Sequence, residues 1–200
     1  MDLIKDLIIK NRSYRRFDQG HLIDLDLLTE LIDLARLSPS GGNKQPLKFL
    51  VSNDSDSNTR IFEHLKWAAY LKDWPGPAIG ERPSAYITIL GDTNISSNFG
   101  LDHGIAALSI LLGATEKGLG GCMIAFMDRD GLRDTLNIPE RYEILLVIAL
   151  GKPQEKIVIE TTDATKGDIK YWHDSEGVHH VPKRSLDELI IKNELTTSQM

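Results

Sequence analysis

Between Phe99 and about Lys117 the sequence FGLDHGIAALSILLGATEK reads as a helix that is apolar on nearly every side. A helix of that kind has no face to offer water, so it runs through the middle of a protein or into a subunit interface. Its longest apolar run, Gly104 to Ala114, interrupted only by Ser109, follows Asp102 and His103 and falls well short of the ~20 residues that a membrane span requires. Everything else in the chain must therefore pack around it. With 200 residues, 41% of them hydrophobic and 26% charged, there is material for such a core without staples, and residues 1–200 are expected to form one domain. Cys122 is the sole cysteine and cannot close an internal disulfide. No charged and then apolar leader opens the sequence, so a cytoplasmic location is expected.

The remaining elements are short and mixed. Leu3, Ile4, Leu7 and Ile8 recur at helical spacing, and a helix from about Leu25 to Leu37 carries Leu27, Leu28, Leu31, Ile32 and Ala35 on one face behind a capping Asp24. Pro39, Gly41 and Gly42 stop it. PLKFLVS (46–52), SAYITIL (84–90), GCMIAFM (121–127) and YEILLVIALG (142–151) read as strands. Helices are expected around Ile61 to Tyr70 and over DGLRDTLN (130–137), and residues 73–83, with three prolines, as a restrained loop. After Pro153 the chain turns polar for some thirty residues, until Ser185 and Glu188 satisfy a capping box. Strands and helices do not alternate as a doubly wound sheet demands, so the expected class is α+β.

Against a formal net charge of -6, two basic clusters stand out. In RSYRRF (12–17), Arg12 and Arg15 can converge with the Ser13 hydroxyl on one oxyanion, since guanidinium forks match phosphate geometry; the plainer possibility is a solvated turn with Arg15 or Arg16 paired to an acid. Lys183 and Arg184 precede the capped helix, whose free N–H groups also favour an anion. Two small patches without interleaved aromatics suit a single terminal phosphate better than a nucleic acid. SPSGGNKQP (38–46) brings Ser40, Asn43 and Gln45 together as hydrogen-bonding groups and lacks the Gly-Lys-Ser/Thr of a phosphate loop. In KGLGGCM (117–123) a helix enters and a strand leaves, the reverse of a dinucleotide turn; Gly120 and Gly121 either admit a flat ligand to the backbone or form a helix stop and tight turn. His179 and His180, adjacent in an extended segment, point to opposite faces, and His103 stands alone, so no metal site is expected. Cys122 reads as a packed thiol. Trp67, Tyr70 and Trp74 are core or pocket wall.

Taken together, NRSYRRF, ARLSPSGGNKQPLKFLV, EKGLGGCMIAF and LGKPQEK resemble, in order, the signatures of the FMN-dependent nitroreductase family, over about residues 3 to 195. The resemblance implies that Arg12, Ser13 and Arg15, joined by Lys183 and Arg184, take the FMN phosphate and adjoining ribityl. Pro39, Ser40 and Asn43 would line the isoalloxazine or ribityl, and Gly120 and Gly121 would present amides to the ring edge. It implies a homodimer with a mixed sheet flanked by helices, the apolar helix in the interface and flavin between subunits. It also implies hydride transfer from NAD(P)H to flavin and onward reduction of a nitroaromatic, quinone or related flat acceptor, with no obligatory side-chain acid or base; a flavin-binding store or sensor is the alternative. Met123 and Leu47 stand where the family has tryptophans, and the polar segment 161–181 is longer than the pattern.

Overall fold

The computed structural model describes residues 3–71, 74–162 and 167–191. Packing divides the chain into two compact units, Met1–Gln154 and Glu155–Met200.

The first unit is an antiparallel sheet flanked by helices, the α+β arrangement that the mixed element order predicts. Helix α1 (Leu3–Lys10) leads to β1 (Phe17–Asp18), then α2 (Leu25–Leu37), a 3₁₀ turn (Gly41–Asn43), β2 (Leu47–Ser52) and α3 (Ser55–Glu63). There follow β3 (Ala85–Asp92), α4 (Asp102–Glu116), β4 (Gly120–Ile124), α5 (Arg129–Leu136) and β5 (Tyr142–Pro153). Strands run in the order β1-β5-β3-β2, with β4 also paired to β5, all antiparallel.

Both faces of β3 and β5 are buried, which is why their sequences are continuous apolar runs. Ile87, Ile89, Leu146, Ile148 and Leu150 face α2 and α4, and Tyr86, Leu90, Val147 and Ala149 face α3 and α5. The register shifts by one residue between Ile89 and Leu90. That bulge turns Ile144 to the same face as Leu90, although it shares the parity of Leu146 and Ile148. Helix α4 starts at Asp102 rather than Phe99, because Gly100 in the left-handed region (φ 48°) turns the chain there. It buries Ala106, Ala107, Ile110, Leu111, Gly113 and Ala114. One flank remains open, with Ile105 36% and Leu108 47% exposed.

The helix expected at Ile61 to Tyr70 lies earlier, at 55–63. Its start is set by Asp54, whose carboxylate accepts the Ser57 N–H at 2.8 Å, and the Asn58 side chain fastens it by accepting from Ser52 Oγ and donating to the Ser84 carbonyl, both at 2.8 Å. Beyond His64 the chain is irregular, and Trp67 is core, its ring stacked over Gly76, where φ is 113° and a Cβ would lie 2.7 Å from the indole. Tyr70 is exposed. The expected loop is irregular over its described residues, 74–83; Asp73 lies outside them.

The Ser57 hydrogen bonds hold the Asp54 carboxyl below its usual 3.8. A depressed carboxyl stabilises the fold above its unfolded value and loses that contribution as pH falls through the folded value. Asp54→Ala is accordingly expected to lower stability by about 1 kcal/mol at neutral pH. Denaturant titrations should show that difference shrinking below pH 3.8.

The second unit holds β6 (Ile157–Thr162), β7 (Trp172–His173), β8 (His179–Arg184) and α6 (Leu186–Leu189). β6 and β8 are parallel, and β7 pairs β8 antiparallel. The polar stretch after Pro153 thus contains a three-stranded sheet that its composition hides; residues 163–166 lie outside the description. The capping box at Ser185 forms as expected.

Candidate functional site

The RSYRRF segment is held extended by its aromatic residues. Phe17 is fully buried against Gly151 and pairs with Pro153. Ser13 bridges Gly121 in parallel, Tyr14 N–H donates to the Gly121 carbonyl at 3.0 Å, and the Tyr14 ring covers Gly120. Two of the expected groups, Arg12 to Arg15 and the glycine pair, are therefore brought together at the start of β4. Within this segment Arg12 Nη2 donates to the Ile8 carbonyl at 2.6 Å, at the end of α1, while its Nε is buried without a hydrogen-bond partner. Burial pulls the guanidinium down from its ordinary pKa, the mark of a cation deprived of water. Among the described residues Arg12 makes no ion pair, whereas Arg16 meets Glu81 at 3.6 Å. Arg15 Nη1 donates to the Ser13 carbonyl at 3.3 Å.

Both glycines are buried, and the space a side chain would need belongs to the protein. A Cβ on Gly120 would lie 2.5 Å from Tyr14, and one on Gly121 2.5 Å from the Ala149 carbonyl of β5. Close strand and ring packing is enough to require glycine at each.

The 38–46 loop is organised by a residue that sequence reasoning did not single out. Asp102, in the first turn of α4 and 8% exposed, accepts Ser40 Oγ–H at 2.6 Å and Gly41 N–H at 2.9 Å. Ser40 Oγ in turn accepts the Gln45 N–H at 3.0 Å, and the Gln45 amide donates to Asn43. Asn43 (φ 54°) and Gln45 (φ 52°) both sit in the left-handed region, a strain that needs such anchoring. The signal was present in the sequence as an acid heading an apolar helix, where the dipole favours it. Pro39, Ser40 and Gly41 line one wall of a cleft of about 610 Å³ whose other wall is Phe99, Leu101 and Ile105. Removing the carboxylate leaves a hydroxyl and an N–H without their acceptor. Asp102→Ala is expected to cost about 1.5–3 kcal/mol, read as a Tm lowered by several degrees.

In the second unit Lys183 and Arg184 end β8 beside Thr161 and Thr162 of β6. Arg184 Nη1 reaches Glu188 at 3.4 Å. α6 spans only four residues, so the helix-terminal contribution expected beside this pair is small.

A model of the nitroreductase family matches residues 8–152. The chain belongs to that family. The match runs from the Arg12 segment through the Asp102-anchored loop to β5, so both parts of the site lie within the nitroreductase portion. The chain is 28% identical over 171 residues to the Archaeoglobus fulgidus protein named "Putative NADH dehydrogenase/NAD(P)H nitroreductase", covering 81% of this chain and 92% of the relative. A nitroreductase family protein of Streptococcus pneumoniae shares the fold at a TM-score of 0.68 and 20% identity, over 95% of this chain and all (100%) of that one. An FMN-dependent nitroreductase of Clostridium difficile does so at 0.62 and 23%, over 84% and 97%. Among the described residues of this family member, no helix is long and apolar enough to cross a membrane.

Proposed function

We propose that the chain is an FMN-dependent oxidoreductase that uses NAD(P)H to reduce a nitroaromatic, quinone or related flat acceptor in a ping-pong cycle. The observation that carries this reading is Arg12: a partly desolvated guanidinium with an orphaned Nε and, among the described residues, no ion pair, at the position that the family pattern gives to the flavin phosphate. A half-buried cation of that kind is stabilised by an anion, so the residues present fit the group.

When bound, FMN supplies acceptance of hydride from a nicotinamide and delivery of electrons to a second substrate. Arg12, Ser13 and Arg15 bind the phosphate end. Asp102 holds Ser40 and the strained 43–45 turn in place, so that Pro39, Ser40 and Asn43 present a preformed wall to the ring or ribityl. The Gly120 and Gly121 amides are assigned to the ring edge. No side-chain acid or base is invoked. The arginine segment is tied to Gly121, just beyond the C-terminal end of the 15-residue α4, and the Pro39 loop to Asp102 at its N-terminal end, which supports a site completed across a homodimer. The open flank of α4, with Ile105 and Leu108, offers apolar surface for that interface.

The purified chain should be yellow, or turn yellow with FMN, bleach anaerobically with NADH or NADPH, and regain colour with a quinone or nitroaromatic. A chain that stays colourless with FMN overturns the reading. Colour that no nicotinamide bleaches identifies a flavin store or sensor instead.

A further inference from the structure

We propose that Glu155, His173 and His179 form a site for a divalent transition-metal ion of the zinc class, which fastens β7 and β8 to the start of β6.

The site is built by register. His173 and His179 are directly opposed partners in the β7–β8 ladder, which places their side chains together on one face of the sheet. The turn between them is fixed by Asp174, whose carboxylate accepts the Glu176 and Val178 N–H groups at 2.9 and 2.8 Å, and by Gly177 at φ 76°. The two imidazoles therefore meet nitrogen to nitrogen, His173 Nε2 and His179 Nδ1 being 3.0 Å apart. On the other side of β8, His179 pairs with Ile157 in the parallel ladder and its N–H donates to the Lys156 carbonyl at 2.9 Å. Glu155, two residues before Ile157, is brought to the same face, and one ligand atom from each of the three residues lies within 4.8 Å of the others.

Chemistry selects the ion. Two imidazole nitrogens and one carboxylate oxygen suit zinc and its borderline neighbours and not calcium or magnesium, which prefer oxygen alone. Around a tetrahedral zinc with bonds of about 2.0–2.2 Å, ligand atoms stand a little over 3 Å apart, so the imidazole pair is already spaced for it, with Glu155 inside the same 4.8 Å cluster. Three protein ligands leave one position for water. Binding requires the proton held between the two ring nitrogens to move, through solvent, to the outer nitrogen of the ring that carries it, so that both imidazoles coordinate as neutral ligands.

The neighbouring histidine shows what a non-ligand looks like here. His180 points to the opposite face, where it stacks on Trp172 and both ring nitrogens meet carboxylates, Nδ1 with Glu160 and Nε2 with Asp174. A role for the ion follows from burial. Among the described residues of this unit His179 alone is buried, at 2% exposure. Units of this size without an apolar core are commonly held by a metal or a disulfide.

The test uses the full-length protein, stripped with a chelator and titrated with Zn(II) against a chromophoric competitor, and separately with Co(II). The expected result is one equivalent bound per chain at micromolar affinity or tighter, with Co(II) giving visible d–d absorption typical of low-coordinate nitrogen ligation. His173→Gln and Glu155→Gln, both at incompletely buried positions, should weaken binding, the histidine variant by at least about 100-fold, the upper end of the loss seen even for outer-shell partners. His180→Gln should leave stoichiometry and affinity unchanged. Absence of binding to the wild-type chain, unchanged affinity in His173→Gln, or loss of binding in His180→Gln would each overturn the assignment. Far-UV circular dichroism of each variant confirms that the comparison is between folded proteins.

Discussion

A chain carrying both Arg12→Ala and Arg15→Ala is expected to keep its fold and to lose FMN affinity by at least about 100-fold. Charge-assisted hydrogen bonds contribute about 1.5–3 kcal/mol each, and about 1.4 kcal/mol is a tenfold change in Kd, so two such groups acting on one phosphate exceed two decades even at the lower bound. The fold should tolerate the change because the segment is anchored by other residues: Phe17 in the core, Tyr14 over Gly120, and the Ser13–Gly121 bridge. Arg12 itself gives up one hydrogen bond, to the Ile8 carbonyl. Because the lost term is electrostatic and partly desolvated, weakening should be larger for FMN than for any uncharged flavin. A fluorescence titration of free FMN, with circular dichroism as the control for folding, measures it directly.

The second large effect is on stability. Gly121→Val is expected to destabilise the protein by at least about 3 kcal/mol, the upper range for forcing bulk into a packed core. At 200 residues each kcal/mol lowers Tm by about 2–4 °C. The reason is that the nearest obstacle is backbone. The Ala149 carbonyl oxygen stands 2.5 Å from where a Cβ must go and Leu111 of α4 stands 2.6 Å away. The carbonyl cannot turn aside without breaking the β4–β5 ladder, in which Gly121 pairs with Leu150. Any shift of residue 121 also carries Ser13 and Tyr14 with it, so flavin affinity should fall in the fraction that remains folded. Met123→Thr in the same strand, at a side chain 39% exposed, should change Tm little. A Gly121→Val chain with unchanged Tm would mean that β4 does not pack against β5 and α4 as described.

How much of this was legible in the residues depends on range. Helix α2, with its Asp24 cap, and the long strand β5 follow from local pattern, because their apolar periodicity and stop signals lie within one element. The α3 boundary was misplaced because Ile61, Phe62, Leu65 and Trp67 mimic a helical stripe, whereas the Asp54 cap and the buried Asn58 network fix a helix that ends at Glu63, seven residues before its expected end at Tyr70, leaving Trp67 in irregular backbone. Strands β6 to β8 were hidden because their alternation is set by pairing across a turn rather than by an apolar face: what their partners meet is histidine, threonine and glutamate. In the site, the arginine segment was legible as charge in an acidic chain. Its attachment to Gly121 was not, since a bridge between residues so far apart in sequence leaves no local trace. Asp102 is the clearest omission: its partners Ser40 and Gly41 lie some sixty residues earlier, and only the fold brings the acid to the loop. The expectation that the histidines hold no metal rested on spacing along the chain, and cross-strand register supplies a neighbour that spacing cannot show.

The account turns on a phosphate held by Arg12 and its neighbours, and the direct measurement is a paired titration of the flavin-free chain with FMN and with riboflavin, which has the same ring and lacks the phosphate. FMN should bind at least about 100-fold more tightly, and Arg12→Ala with Arg15→Ala should abolish that preference while leaving weak riboflavin binding intact. Equal affinity for the two flavins, or a preference for FMN that survives the double substitution, would contradict it.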